Sequence, residues 1–178
     1  MRWMWIDRFI EFQRGKSAKA VKNLTLAEDH FADHFPGYPL MPAPLMIEGL
    51  AQTGGILVGE VDKFAQNVVL AKIPWARFHR DVVAGEQLLY DVEILNHHPD
   101  YAAVQGRIWV DGDLIGEAEI FFAHLEPARA KEMFGEQNFV FGGELKRMLG
   151  LVNALLAKEE SKAGQSASAG ADISRTTP

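Results

Sequence analysis

Asp33-His34-Phe35-Pro36-Gly37-Tyr38-Pro39-Leu40-Met41-Pro42-Ala43-Pro44-Leu45-Met46-Ile47-Glu48-Gly49-Leu50-Ala51-Gln52-Thr53-Gly54-Gly55 decides how the rest of the chain is read. Its first half excludes a regular helix, because Pro36, Pro39, Pro42 and Gly37 interrupt it. Its second half favours one. Leu45, Ile47, Leu50, Ala51, Ile56, Leu57, Val58 and Val61 are apolar, with Glu48, Gln52 and Thr53 between them. Pro44 suits a first helical turn, where its missing N–H costs nothing. The stretch therefore predicts a rigid loop feeding a mostly buried helix from about Pro44 to Val61. Gly54, Gly55 and Gly59 weaken that helix intrinsically. They predict close approach by a sheet laid across it.

Working outward, residues 4–14 and 18–25 read as a hairpin with its turn near Gly15; the alternative for Met1–Trp5 is an arm lying over a neighbouring surface. Asp29–Asp33 reads as a single helical turn. Beyond the helix, residues 67–78 form a strand that Pro74 marks as edge or bulged. Residues 87–96, 101–110 and 113–125 follow as an antiparallel meander, turning at His97-His98-Pro99-Asp100 and at Asp111-Gly112. In the first of these, Leu88, Tyr90, Val92 and Ile94 form the inward face. Ala128–Phe134 and Glu144–Lys158 read as helices, the second with an apolar side. Residues 161–178 are small and polar and are expected to be disordered. The organisation predicted is α+β, with a long helix against a curved antiparallel sheet over 1–126, a helical extension at 127–158 and a tail at 159–178.

Composition narrows the function. At 178 residues and 48% hydrophobic, the chain supports a real core, and its net charge of −6 without a Lys/Arg run argues against nucleic acid. With no cysteine, disulfides, thiolate catalysis and thiolate metal sites are excluded. No segment reads as a signal peptide or a transmembrane span, so the cytoplasm is the expected location.

The chemistry sits at the loop and helix. His34 has the near-neutral titration of a general base, and Glu48 is a general acid if an apolar setting raises its pKa. Free N–H groups at the helix start suit an oxyanion. Base, acid and oxyanion site together fit removal of a proton next to a carbonyl with expulsion of a β-hydroxyl, without metal or redox cofactor. The competing reading is a structural loop histidine and a solvated glutamate. His30, Asp33 and His34 imply no compact metal set, and His97-His98 reads as a solvated turn.

His34-Phe35-Pro36-Gly37-Tyr38-Pro39-Leu40-Met41-Pro42, followed by Leu45, Glu48, Leu50, Ala51 and Gln52, resembles the signature of the FabZ-type 3-hydroxyacyl-(acyl-carrier-protein) dehydratases. The segments 76–88 and 110–119 resemble that family too, in family order. The resemblance covers roughly residues 5–125. It implies a hotdog fold, with His34 and Glu48 as the catalytic pair facing each other across a homodimer, and dimers that often assemble into a hexamer, a trimer of dimers. It implies that the Ala43 N–H holds the thioester carbonyl, that Tyr38 and Phe78 line the acyl tunnel, and that no cofactor is used. The implied partner is an acidic acyl carrier protein bearing a 3-hydroxyacyl chain. Arg77, Arg80, Arg129 and Lys131 are the candidate basic patch for it. Three positions depart from the family pattern. Ala43-Pro44 stands where Gly-Val is usual, which predicts strain if the glycine needs positive φ. Gly49 replaces a common alanine, and Asp33 a small residue. The alternatives are a hotdog protein that binds acyl chains without dehydration, or a hotdog acyl thioesterase.

Overall fold

The computed structural model describes residues 3–134, together with Arg147, Gly150, Val152, Ala154 and Ala157. Strands β1 (Arg8–Gln13) and β2 (Ser17–Asn23) form the first hairpin, turning through Gly15 at φ +69°. Helix α1 (Asp29–Asp33) and the proline loop lead into α2 (Ala43–Val61). Strands β3 (Asn67–Phe78), β4 (Gln87–His98), β5 (Tyr101–Val110) and β6 (Asp113–Leu125) follow, then α3 (Pro127–Phe134).

All six strands join one antiparallel sheet in the order β1-β2-β4-β5-β6-β3. The antiparallel meander β4-β5-β6, as the turn spacing predicted, is present and forms the centre of the sheet. β3 takes an edge, where Pro74 needs no ladder donor, and its register slips between Lys72 and Trp75.

Helix α2 is buried continuously from Gly49 to Glu60, and the curved sheet wraps it. This is the hotdog arrangement. Leu88, Tyr90 and Val92 of β4, Val104 and Ile108 of β5, and Ala118 and Ile120 of β6 are fully buried, as are Leu50, Ile56 and Leu57 of the helix. Each large aliphatic side chain so buried contributes roughly 1.5–3 kcal/mol. Helix and sheet meet this closely because glycine stands at the crossing. A β-carbon on Gly54 would come within 3.2 Å of Phe122 and Val104, and one on Gly106 within 2.8 Å of Leu50. The third expected approach is different: Gly59 is covered by the Phe64 ring of the turn after α2, not by a strand.

One turn is corrected. β4 continues through His97 and His98, and only Pro99-Asp100 forms the turn. The strand continues past a register shift between Ile94 and Asn96, with His97 paired to Ala102 and His98 to Tyr101. Of the segment expected as the last helix, the five described residues are helical and Val152 is fully buried. The expected tail lies outside the described residues.

Candidate active site

The proline loop is held by its own backbone. His34 caps the end of α1, donating its N–H to His30 O (3.1 Å) and accepting from Leu40 N–H at its carbonyl (2.8 Å). Phe35 and Tyr38 exchange both backbone hydrogen bonds, at 3.1 and 2.9 Å, around Gly37, whose φ of +84° only glycine adopts freely. Met41 N–H donates to Val82 O (2.8 Å), tying the loop to the chain beyond β3. The His34 ring stacks on Phe35 at 4.0 Å between centroids. Its Nδ1 is buried and has no hydrogen-bond partner.

Glu48 lies on the second turn of α2 and is half-buried. Trp3 Nε1–H donates to its Oε1 (3.1 Å), and so does Gln52 Nε2–H (3.0 Å). Both bonds fall on one oxygen. Oε2 accepts none among the described residues. Gln52 is itself buried and fully engaged, donating to Trp3 O (3.1 Å) and accepting from Trp5 N–H (2.9 Å). Trp3 and Trp5 thus pack onto α2 of their own chain, not onto a neighbouring surface. Trp5 is 2% exposed. Its ring meets His30 edge-on at 5.3 Å. Burial pushes the His30 imidazole below its ordinary pKa, against the opposing charge of Glu28.

No hydrogen bond joins His34 to Glu48 within this chain among the described residues. Ala43 is the first helical residue, after the extended Pro42 cap, so it carries none of the left-handed strain expected of it. Its N–H is one of those a helix start leaves without an intrahelical partner. Tyr38 is 59% exposed on the loop. Phe78 is partly buried against the core at the end of β3, and its ring fills the space over Gly116.

The four basic positions do not share one environment. Arg80 is committed to Glu86, with a 2.8 Å ion pair and a further bond to Asp81 O. Burial pushes the Glu86 carboxyl up, but the bonds from Arg80 and the Val83 N–H outweigh it and hold the carboxyl below its ordinary range. Arg77 is exposed and sits opposite Glu117 in the sheet register, and Arg129 and Lys131 lie on α3.

Sequence reasoning missed Trp3 and Gln52 as partners of Glu48. The i, i+4 spacing of Glu48 and Gln52 was the available signal. Nothing in the sequence pointed to Trp3.

A FabA-like domain model matches residues 2–119. The chain belongs to the FabA-like family. It is 42% identical over 122 residues to the 3-hydroxyacyl-(acyl-carrier-protein) dehydratase FabZ of Listeria monocytogenes, covering 68% of this chain and 85% of that one. It is 37% identical over 125 residues to the enzyme of the same name from Nitratiruptor, covering 66% and 84%. Among solved structures, the dehydratase heterocomplex ApeI:P from Xenorhabdus doucetiae aligns with a TM-score of 0.53 at 18% identity, over 65% of this chain and 96% of that chain. That last likeness concerns the fold alone. The FabA-like match ends inside β6, so α3 and the residues after it lie beyond the match.

Proposed function

We propose that this chain dehydrates a 3-hydroxyacyl thioester to the trans-2-enoyl thioester in fatty acid biosynthesis. His34 is the base and Glu48 the acid. The observation that carries the reading is the setting of Glu48: Trp3 and Gln52 fix one carboxyl oxygen, and the other accepts no hydrogen bond among the described residues. His34 lies on the proline loop that feeds the start of the same helix.

The thioester carbonyl oxygen accepts from the Ala43 N–H at the positive end of α2, which stabilises negative charge as it develops there. A neutral His34 nitrogen takes a proton from C2. The electron pair of that C–H bond becomes the C2=C3 double bond, and the C3–O bond breaks. The Glu48 carboxyl gives its proton to the departing hydroxyl, which leaves as water. His34 then holds a proton and Glu48 lacks one, so a proton passes back through solvent to restore the site. Tyr38 and Phe78 line the acyl path.

His34 of one copy works with Glu48 of a second, in a homodimer or a trimer of dimers, as the family resemblance implies. The substrate carrier is an acidic acyl carrier protein. Arg77, Arg80, Arg129 and Lys131 are the candidate basic patch for its approach, with Arg80 already paired to Glu86. The catalytic domain spans 1–126, with 127–158 as an added extension, and the cytoplasm is the location.

The test is incubation with a 3-hydroxyacyl thioester, with enoyl formation and free thiol measured side by side. Enoyl product without thiol is expected. Thiol release would make the chain a thioesterase, and binding without either product an acyl-binding protein.

A further inference from the structure

The end of α2 remote from Glu48 carries a second constellation. Asp62, His97 and His124 each place one donor atom within 4.8 Å of the others. They come from three elements: Asp62 is the C-cap of α2, His97 lies near the end of β4, and His124 near the end of β6. A cavity of about 480 Å³ opens beside them, lined by Asp62, Ala65, Gln66, His97 and Pro99.

The two imidazoles are set up unlike ordinary surface histidines. His124 Nδ1 lies 3.0 Å from Pro99 O. A carbonyl only accepts, so Nδ1 carries the proton and Nε2 presents a bare lone pair. That Nε2 is buried without a partner, and so is His97 Nε2. The rings lie 5.2 Å apart with no bond between them. Asp62 Oδ2 stands 3.6 Å from His97 Nε2, too far for a hydrogen bond. Two ligands of a tetrahedral zinc-class ion, each about 2.0–2.2 Å from it, are separated by about 3.3–3.6 Å. Two buried ring nitrogens without partners and a carboxylate beyond bonding distance are what such a donor set looks like before a cation joins it.

The surroundings favour positive charge. The C-terminus of α2 presents the negative end of its dipole. The backbone also works to hold Asp62 there. Lys63 and Phe64 both take positive φ, at 51° and 57°, and the Phe64 N–H closes back on Gly59 O at 2.7 Å. Pro99 O, by fixing the His124 tautomer, acts as the outer partner that metal-bound imidazoles ordinarily have.

We propose that Asp62, His97 and His124 bind one divalent cation of the zinc class, with water completing the coordination. Two imidazoles and a carboxylate suit zinc or cobalt over magnesium or calcium. α2 is 19 residues long, about 28 Å, so the ion sits far from Glu48 and clamps the helix end to β4 and β6. Its role is structural. This stands independently of the dehydratase reading.

The test uses the full chain stripped with a chelator and then titrated with Zn(II) or Co(II) alone. Calorimetry is expected to give one ion per chain, and Co(II) the intense visible bands of tetrahedral coordination. His97→Ala and His124→Ala should each weaken binding by about tenfold or more, and both should abolish the rise in Tm that Zn(II) gives the wild type. His98→Ala, an exposed neighbour, should bind as wild type does. Circular dichroism of the metal-free variants confirms that they fold. Failure of the wild type to bind stoichiometrically, or undiminished binding by the folded His97→Ala/His124→Ala double variant, would overturn the site. Loss in His98→Ala equal to that in the other two would overturn the ligand set.

Discussion

Tyr90 occupies the space that a side chain at position 49 would need. A β-carbon on Gly49 would lie 2.6 Å from Tyr90 Cε2 and closer still to Cζ and the hydroxyl. The glycine at position 49, one residue from the proposed acid, thus fits the space that Tyr90 of β4 leaves. The Tyr90 hydroxyl is fully buried without a partner, and burial pushes its pKa well up. Gly49→Ala should cost about 1–3 kcal/mol through overpacking, despite the gain of roughly 1 kcal/mol that alanine brings to a helix. Adding Tyr90→Leu should recover most of that loss, a non-additivity that urea unfolding of the three variants measures. Additive costs would mean that the two residues do not compete for space.

Gln52 is a positioning residue for Glu48. Gln52→Ala leaves Trp5 N–H and Trp3 O without their partner and frees the Glu48 carboxyl on one side. Stability should fall by about 1–3 kcal/mol. The reaction should lose kcat while KM for a thioester substrate stays close to wild type, because the acyl path is untouched. A rise in KM with unchanged kcat would assign Gln52 to substrate binding instead.

The buried end of α2 is also tied to the first hairpin. Glu60 is 6% exposed and bonds Arg14 through both Nε (3.1 Å) and Nη2 (2.5 Å). Arg14→Ala would strand a buried carboxylate and should cost about 1–3 kcal/mol. Arg14→Ala/Glu60→Gln should cost less than Arg14→Ala alone, since the charge goes with its partner. Denaturant melts of the two variants decide it, and equal costs would contradict the pairing.

His30 makes stability depend on pH. Burial lowers its folded-state pKa, so the unfolded chain binds a proton first as pH falls. Its contribution is complete above the ordinary imidazole pKa of about 6.5 and declines below it, levelling off under the folded pKa. His30→Phe, placed among Trp5 and Phe31, should flatten the part of the stability profile just below that pKa. Urea midpoints at neutral and mildly acid pH measure this. An unchanged profile in the variant would remove His30 from the acid response.

The fold was readable because its signals are local. Proline and glycine bound α2, alternation marks Leu88, Tyr90 and Val92 as inward, and Asp111-Gly112 sets the last hairpin. His97 and His98 were misread because the dipeptide before Pro99 resembles a turn, while the pairing that keeps it in β4 comes from Ala102 and Tyr101 on another strand. His34 and Glu48 were nameable from a motif. Trp3 was not, because only the folded arm brings its indole to Glu48. Asp62, His97 and His124 escaped notice for the same reason: they are distant in sequence and meet only when the sheet closes over the helix end.

If His34 of one chain works with Glu48 of another, exchange of subunits between two inactive variants restores activity. His34→Ala and Glu48→Gln should each fold and each lose about 10²–10⁴-fold in dehydration. Mixed and allowed to exchange, about half the dimers become heterodimers, each with one site that keeps both wild-type residues, so activity should recover to about a quarter of wild type. Verified heterodimers that remain as inactive as the parent variants would contradict the composite site.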